Sequence, residues 1–247
     1  MIRRTLLLAR LETVLFLREP AAVFFSLAFP LLMLVFFGGV HGRVGVQGAR
    51  FIDGYFPMVV AVSAANLGVL GLTLHLAENR ARGVLRRFRL SPLGPLEFFA
   101  GHVLTSVVLL AVSLSGPAVV TLTLYGPAPR FRPAIFLGVL FITAYSMFSV
   151  GMFAGGLPIS LRGNQVLGSV LFFVMFVSSG AAVRRDVFPR WLAVVSELNP
   201  LSHLADALTA GYTGRRAVPV LPLVAVCAGT LVLNLVTSRT FDWEGRL

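Results

Sequence analysis

The chain has 247 residues, of which 57% are hydrophobic and only 13% charged, and its formal net charge is +11. With a mean hydropathy of +0.87, it has too little charge to cover the surface of a soluble domain of this size. All 21 basic residues are arginine, and because a phosphate-binding P-loop requires a lysine, the composition excludes an ATPase of that class.

The apolar runs predict an all-α integral membrane protein. They are continuous rather than alternating, which favours helices over a β-barrel. We expect two segments, an N-terminal interfacial helix at residues 1–20 and a transmembrane domain at 21–247. Each apolar run of about twenty residues is long enough to cross the hydrocarbon layer. Six transmembrane helices are predicted, at about 21–40, 55–77, 98–124, 134–157, 165–183 and 217–237.

The first predicted element is the interfacial helix. Within residues 3–19, five apolar side chains fall on one arc of a helix: Leu7, Leu8, Leu11, Val14 and Leu15. A helix with one apolar arc and basic residues elsewhere is typical of the membrane interface. Pro20 marks the turn into the first span.

The loop 78–97 follows the second span and carries five arginines. Residues 78–90 predict a short helix with an apolar edge of Val84, Leu85 and Phe88, and Ser91-Pro92 ends it. Such a loop can simply bind anionic lipid headgroups. An apolar edge with a charged rim is also what a docking protein uses.

Two spans carry candidate residues for a substrate path. The candidates are Asn66, Phe172, Phe173, Phe176, Ser178 and Ser179. The aromatic rings can equally face lipid, and the polar groups can serve interhelical hydrogen bonds. In the fourth span, Gly151 and Gly155 form a GxxxG pattern that indicates close contact with another helix.

The segment 184–216 between the last two spans predicts an outer helical hairpin. Pro189 is predicted to begin a helix over 189–198, which includes Trp191. Asn199-Pro200 ends this helix and begins a second one. The second helix has an apolar face and is expected to end at Gly211. The residues of that face are Leu201, Leu204, Ala205 and Leu208.

Several chemistries find little support in the residues. Four scattered histidines and a single cysteine, Cys227, do not predict a metal site or a disulfide framework. The predicted span interiors lack carboxylates, which an ion-coupled carrier would need.

Four arginines precede the first span and five follow the second, against two between them. This distribution places both termini in the cytoplasm.

Two regions of the chain carry a family resemblance. The pattern Glu78–Gly83-Val84-Leu85-Arg86–Ser91-Pro92-Leu93 resembles the cytoplasmic coupling region of ABC-2 type transporter permeases, which include daunorubicin-resistance drug exporters. The distal motifs are similar to that family's fifth span and outer hairpin: Ser179-Gly180, Phe188-Pro189, Trp191-Leu192 and Leu198-Asn199-Pro200-Leu201. The chain departs from the family pattern at Gly94-Pro95 and at Thr209.

The resemblance implies a subunit that exports a hydrophobic drug-like or lipid-like molecule across a bacterial inner membrane. Two permeases, identical or paired with a sister chain, would form the pathway, and two copies of a separate ATPase would bind ATP and Mg. This chain would then have no catalytic residue and no cofactor of its own. The residues that the resemblance assigns to contact with the ATPase are Glu78, Arg82, Gly83, Leu85, Arg86, Phe88, Arg89 and Pro92.

Other functions remain open at this point. The cargo can also be a polysaccharide or a lipid-linked metabolite, and the chain can be an ion-coupled secondary carrier. A membrane-embedded enzyme acting on lipid would need clustered His, Asp or Glu at one interface, and the spacing brings none together. The arginines are distributed around the spans, which does not favour nucleic-acid binding.

Overall fold

The chain is helical almost throughout the residues described by the computed structural model, which are 13–14, 18, 20–41, 45–46, 49–81, 95–183 and 185–240. The α-helices are α1 Pro20–Val23, α2 Phe29–His41, α3 Phe51–Ala65, α4 Thr73–Ala81, α5 Pro95–Leu124, α6 Pro133–Gly156, α7 Leu161–Ser178, α8 Arg190–Leu198, α9 Pro200–Thr213 and α10 Val220–Thr240. Wider π-helical turns lie at Phe24–Ala28 and Asn66–Leu72, and a 3₁₀ turn lies at Arg185–Val187. Strands β1 Gly45–Val46 and β2 Ala49–Arg50 form a two-residue antiparallel hairpin.

Five helices in this part of the chain are long and apolar enough to cross a membrane. They are Phe51–Ala81, Leu104–Leu124, Pro133–Gly156, Leu161–Ser178 and Val220–Arg239. The prediction of a helical membrane protein is therefore confirmed. The first predicted span coincides with the helical segments from Pro20 to His41, of which Ser26–His41 is a shorter apolar helix. Of the predicted interfacial helix at 1–20, only Thr13, Val14, Arg18 and Pro20 lie among the described residues.

Phe51–Ala81, called the central helix below, lies at the centre of the bundle. It comprises α3, the π turn Asn66–Leu72 and α4, and it packs against α2, α5, α6, α7 and α9. Its middle is lined with small residues, and Ala61, Ala64 and Ala65 are fully buried. Small side chains let the neighbouring backbones approach from several sides at once.

The closest helix contact joins the central helix to α6 through glycines. A Cβ at Gly151 would overlap the carbonyl oxygen of Gly68, and one at Gly155 would lie 2.9 Å from the carbonyl oxygen of Thr73. In return, a Cβ at Gly68 would lie 2.6 Å from the backbone carbonyl carbon of Met147. The contact indicated by the GxxxG pattern is therefore present, and its partner is the central helix.

An ion pair fastens the first turn of the central helix. Arg50 Nη2 lies 2.7 Å from Asp53 Oδ1, and the Asp53 side chain is only 3% exposed. Arg50 also donates to the carbonyl oxygens of Tyr125 and Pro127 in the turn between α5 and α6. The hydrogen bond to Asp53 raises the pKa of Arg50 above its ordinary value. This side of the bundle is called the Asp53 end.

An aromatic cluster packs beside this ion pair. Phe56 of the central helix, Phe136 of α6 and Tyr212 of α9 lie with ring centroids 5.1 to 6.2 Å apart. Phe131 joins Phe136 and Tyr212 at 5.7 and 5.1 Å. Burial raises the pKa of the Tyr212 hydroxyl.

The segment between α7 and α10 contains two helices, α8 and α9. Pro189 precedes α8, and Asn199 begins α9 by accepting a hydrogen bond from the Leu201 amide at 2.9 Å. The four residues predicted for the apolar face of α9 are fully buried.

The prediction that Gly211 ends α9 is wrong. The helix continues to Thr213, and Gly214 caps it with φ 60° and an amide that donates to Ala210. Gly211 instead packs against α6, where a Cβ would lie 3.2 Å from the backbone of Phe136. A glycine in a helical sequence can therefore mark a close approach as well as a helix end.

Candidate transport pathway

The consecutive helical elements from Pro20 to His41 are called the first helical segment below. An apolar crevice lies between this segment, the central helix and α7. The crevice is narrow, with a volume of about 10 Å³ that a water-sized molecule can occupy. The lining comes from three elements: Phe29, Pro30 and Met33; Tyr55, Met58, Val59, Val62 and Asn66; and Phe172, Phe176 and Ala181. A mostly apolar concavity with a few polar groups is the common form of a small-molecule site.

Three of the six residues predicted for the substrate path line this crevice. Phe172 and Phe176 are one turn apart on α7, and their rings stack with centroids 6.0 Å apart. Asn66 faces them from the central helix. Phe173 does not line the crevice, since it is 63% exposed on another face of α7.

Asn66 is connected to the first helical segment by a buried hydrogen bond. Ser26 Oγ donates to Asn66 Oδ1 at 3.0 Å, and Ser113 Oγ of α5 donates to the Ser26 carbonyl oxygen at 2.6 Å. Ser26 lies in the π turn Phe24–Ala28, and Asn66 opens the π turn Asn66–Leu72. The two wide turns therefore meet beside the crevice, and π turns are frequent at functional sites.

Ser178 and Ser179 hold α8 and α9 in place. Asn199 Nδ2 donates to Ser178 Oγ at 2.9 Å and to the Met175 carbonyl oxygen at 2.8 Å. Arg185 Nε donates to the Ser179 carbonyl oxygen at 2.8 Å. The two serines are fully buried, and their contacts belong to this junction.

The remaining residues predicted for the hairpin are placed as follows. Arg185 extends the junction by an ion pair of 2.7 Å between its Nη1 and Asp206 Oδ2 on α9. Pro189 is exposed at the start of α8, and Trp191 in its first turn is 69% exposed. Asn199 is buried, and Pro200 is the first residue of α9.

The predicted contacts with an ATPase lie mostly outside the described residues. Glu78 is half-buried in α4, close to its C-terminal end. Seven others fall in the undescribed segment 82–94: Arg82, Gly83, Leu85, Arg86, Phe88, Arg89 and Pro92.

Sequence reasoning missed most of the crevice. Four lining residues of the central helix have the spacing of one helical face: Tyr55, Val59, Val62 and Asn66. Once Asn66 is taken as a residue of the path, this spacing would have predicted the other three. Among the described residues, the Tyr55 hydroxyl is buried without a hydrogen-bond partner. A buried hydroxyl of this kind carries a desolvation cost and marks a place where a bound molecule can complete the hydrogen bonding.

One acidic residue was also missed, because the predicted second span began at residue 55. The central helix begins at Phe51, so Asp53 lies in its first turn. The carboxylate is paired with Arg50 at the Asp53 end of the bundle. Among the described residues, no group of three His, Cys, Asp or Glu could hold a metal ion.

A bundle of helices that are long and apolar enough to cross a membrane defines a helical membrane protein. Residues 3–213 match the family described as ABC-2 type transporter, and the chain belongs to that family. It is 27% identical to ycf38 of Cyanophora paradoxa, which its name describes as a candidate transport permease; the match covers 79% of this chain and 69% of the relative. A protein of the same name from Porphyra purpurea is 25% identical, with the same coverage.

Family membership confirms the resemblance drawn from Glu78–Leu93 and from the distal motifs. The function that follows at this level is that of a membrane transport permease. Permeases of this family normally work with an ATPase subunit.

Proposed function

We propose that the chain is the membrane-spanning subunit of an ATP-driven exporter that moves an apolar, drug-like or lipid-like molecule out of the cell. ATP and Mg bind to a separate ATPase present in two copies. Membership of the ABC-2 family supports this assignment. The lack of lysine in the sequence also supports it, because this chain then has no P-loop for ATP.

The crevice is the single observation that carries the substrate part of the proposal. Its lining is almost wholly apolar, with aromatic rings on one wall and Asn66 and Tyr55 on the other. Such a lining favours a cargo with a large apolar surface and a small number of hydrogen-bonding groups. A polysaccharide would need many more polar contacts than these residues offer.

The arginine distribution supports an orientation in which the Asp53 end faces outward. The segment 82–92 would then meet the ATPase in the cytoplasm, and α8 and α9 would lie toward the outer leaflet. We place the protein in a bacterial inner membrane with both termini inside. Two permeases, identical or sister chains, complete the exporter.

The experiment that tests this function is reconstitution with a partner ATPase that is identified by co-purification with the permease. The two proteins are co-expressed, purified together and placed in liposomes, and a panel of apolar aromatic compounds is tested for stimulation of ATP hydrolysis and for ATP-driven accumulation in inverted vesicles. We expect both with the complete complex and neither with the permease alone. Transport by the permease alone, driven by a proton gradient without ATP, would contradict the proposal and support an ion-coupled carrier.

Charge reversal tests the coupling segment within the same assay. Replacing Arg86 and Arg89 by Glu is expected to abolish transport while the complex still inserts, because the charged rim that meets the ATPase is inverted. Arg239→Glu at the end of α10 is the matched control, since this arginine is exposed and lies outside that segment. Full transport by the Arg86/Arg89 variant would exclude the segment from coupling.

A further inference from the structure

Arg80 lies in the last turn of the central helix, two residues before the predicted coupling residue Arg82. Its guanidinium crosses to the neighbouring helices. Nη1 donates to the carbonyl oxygen of Gly156 at 3.2 Å, and Nη2 donates to that of Ile159 at 3.1 Å. The first carbonyl ends α6, and the second lies in the turn that leads into α7.

A buried amide on α7 completes the arrangement. Asn164 is fully buried, and with its amide oriented to match donors with acceptors, its Oδ1 accepts from Arg80 Nη2 at 2.7 Å. Its Nδ2 then donates to the Ala154 carbonyl oxygen of α6 at 2.8 Å. Arg80 and Asn164, called the Arg80 clasp below, thus join the ends of three helices.

The helices beneath the clasp are in close contact at glycines. A Cβ at Gly155 of α6 would lie 2.9 Å from the Thr73 carbonyl oxygen, and one at Gly168 of α7 would lie 3.2 Å from Thr73 Cγ2. Packed backbones of this kind do not slide past one another without a change of contacts. The Arg80 end of the central helix, α6 and α7 therefore behaves as one body.

The choice of arginine has a geometric reason. A guanidinium presents several donors in a fixed plane, so it can reach two carbonyls and an amide oxygen at the same time. An arginine that only fixes membrane topology needs no such partners. Arg162, which is exposed in the first turn of α7, has that simpler environment.

We propose that the Arg80 clasp is the positioning device that makes α7 follow the coupling segment. The inference rests on the proposed function. Movement that the ATPase imposes on 82–92 reaches Arg80 directly, and the clasp passes it to the start of α7. Because Phe172 and Phe176 lie farther along α7, the same movement shifts one wall of the crevice.

Spin labels in the reconstituted complex test this inference without requiring a known cargo. In a Cys227→Ser background, one labelled pair, Ala81→Cys with Val166→Cys, spans the clasp. A second pair, Phe36→Cys with Val166→Cys, spans the first helical segment and α7; Phe36 and Val166 are 65% and 64% exposed. Distances are measured by electron paramagnetic resonance, without nucleotide and with ATP trapped on a hydrolysis-deficient ATPase.

In the parent complex we expect the clasp pair to keep its distance when ATP binds and the second pair to change. In Arg80→Gln the clasp pair should broaden and change with ATP, and the second pair should lose its ATP-induced change, while the active ATPase partner still hydrolyses ATP. Arg80→Lys should behave like Arg80→Gln, since lysine keeps the charge but lacks the several coplanar N–H donors of the guanidinium. Arg162→Gln, the matched control, should behave like the parent.

Two results would overturn the inference. One is a clasp pair that already changes with ATP in the parent, and the other is an Arg80→Gln or Arg80→Lys complex in which the second pair still responds fully. Failure of the proposed function is distinguishable, because the parent then binds no ATPase or shows no ATP response in the second pair. Asn164→Ala in the Arg80→Gln background should add no further change, since both act through one contact.

Discussion

The central helix and α10 are both long, apolar helices, yet they occupy opposite environments. In the apolar stretch of Phe51–Ala81, 78% of the residues are buried within the chain, against 11% for Val220–Arg239. The buried residues of the central helix include the small residues Ala61, Ser63, Ala64, Ala65 and Gly68, whereas α10 presents exposed leucines and valines. Both helices are apolar enough to cross a membrane, and the small residues of the central helix permit the close helix packing that surrounds it.

The largest expected effect comes from adding a side chain at a glycine that contacts the central helix. Gly151→Leu would force a side chain into the Gly68 carbonyl. We expect a loss of at least about 3 kcal/mol, more than ordinary overpacking, and little folded protein. Gly229→Leu on α10 is the control, because its Cβ would meet nothing within 4 Å. Yield and thermal unfolding in nanodiscs measure both, and equal loss in the two variants would contradict the distinction.

Removing side-chain volume should also distinguish the central helix from α10, through a difference in stability. Leu76 is 1% exposed and packs beside Gly155, so Leu76→Ala is expected to cost about 2–5 kcal/mol. Leu231 on α10 is 58% exposed, and Leu231→Ala should cost close to nothing, since lipid replaces the lost contacts. The measurement is the thermal unfolding midpoint in nanodiscs. A Leu231→Ala midpoint as low as that of Leu76→Ala would place a partner chain on α10.

Charge removal gives a smaller difference. Arg50→Ala leaves the carboxylate of Asp53 buried without its cation, and we expect a loss of about 1–3 kcal/mol, reduced because the Arg50 side chain is about a third exposed. Arg239→Ala at the end of α10 should leave stability unchanged. A double variant Arg50→Ala/Asp53→Asn should recover part of the loss, because the buried charge is then gone. No recovery in the unfolding midpoint would argue against a role for the pair.

The smallest effect concerns a single hydrogen bond. Ser26→Ala removes the donor to Asn66, and interhelical hydrogen bonds in membranes contribute about 0.6 kcal/mol on average. Ser238→Ala on α10 removes only a bond to Leu235 within its own helix, so its unfolding midpoint should stay at the parental value. A Ser26→Ala midpoint equal to that of the parent would mean that the hydrogen bond to Asn66 does not contribute to holding the first helical segment.

The sequence predicted the features that depend on local chemistry. Gly151 and Gly155 indicated a close helix contact, and Asn199-Pro200 indicated a break between two helices, because small residues and caps act over one or two turns. The crevice could not be predicted as a whole, since Met33, Tyr55 and Phe172 meet only when three distant segments pack together. Phe172 and Phe173 differ in placement, although nothing in the sequence distinguishes the adjacent rings.

The Arg80 clasp was missed for a different reason. Arg80 is one of five arginines in the segment predicted as the loop 78–97. The rule that basic residues remain inside accounts for the arginine content of that loop without any specific contact. Only the positions of Gly156, Ile159 and Asn164 distinguish it from its neighbours. Charge counts therefore predict an orientation but give no information about which cation is held by hydrogen bonds.

The π turn Asn66–Leu72 has a consequence for insertions and deletions in related chains. A π turn accommodates an additional residue compared with an α turn, so losing one residue there would leave a regular helix that lipid tolerates. The half of the helix beyond it would keep its facing, because the wide turn absorbs the additional residue instead of rotating the turns that follow, and Leu76 and Arg80 would still face α6 and α7. A homologue that is one residue shorter at this point should therefore retain small residues at 151 and 155 and the amide at 164, whereas the same deletion in a regular α-helical part of the central helix would rotate its far half by about 100°.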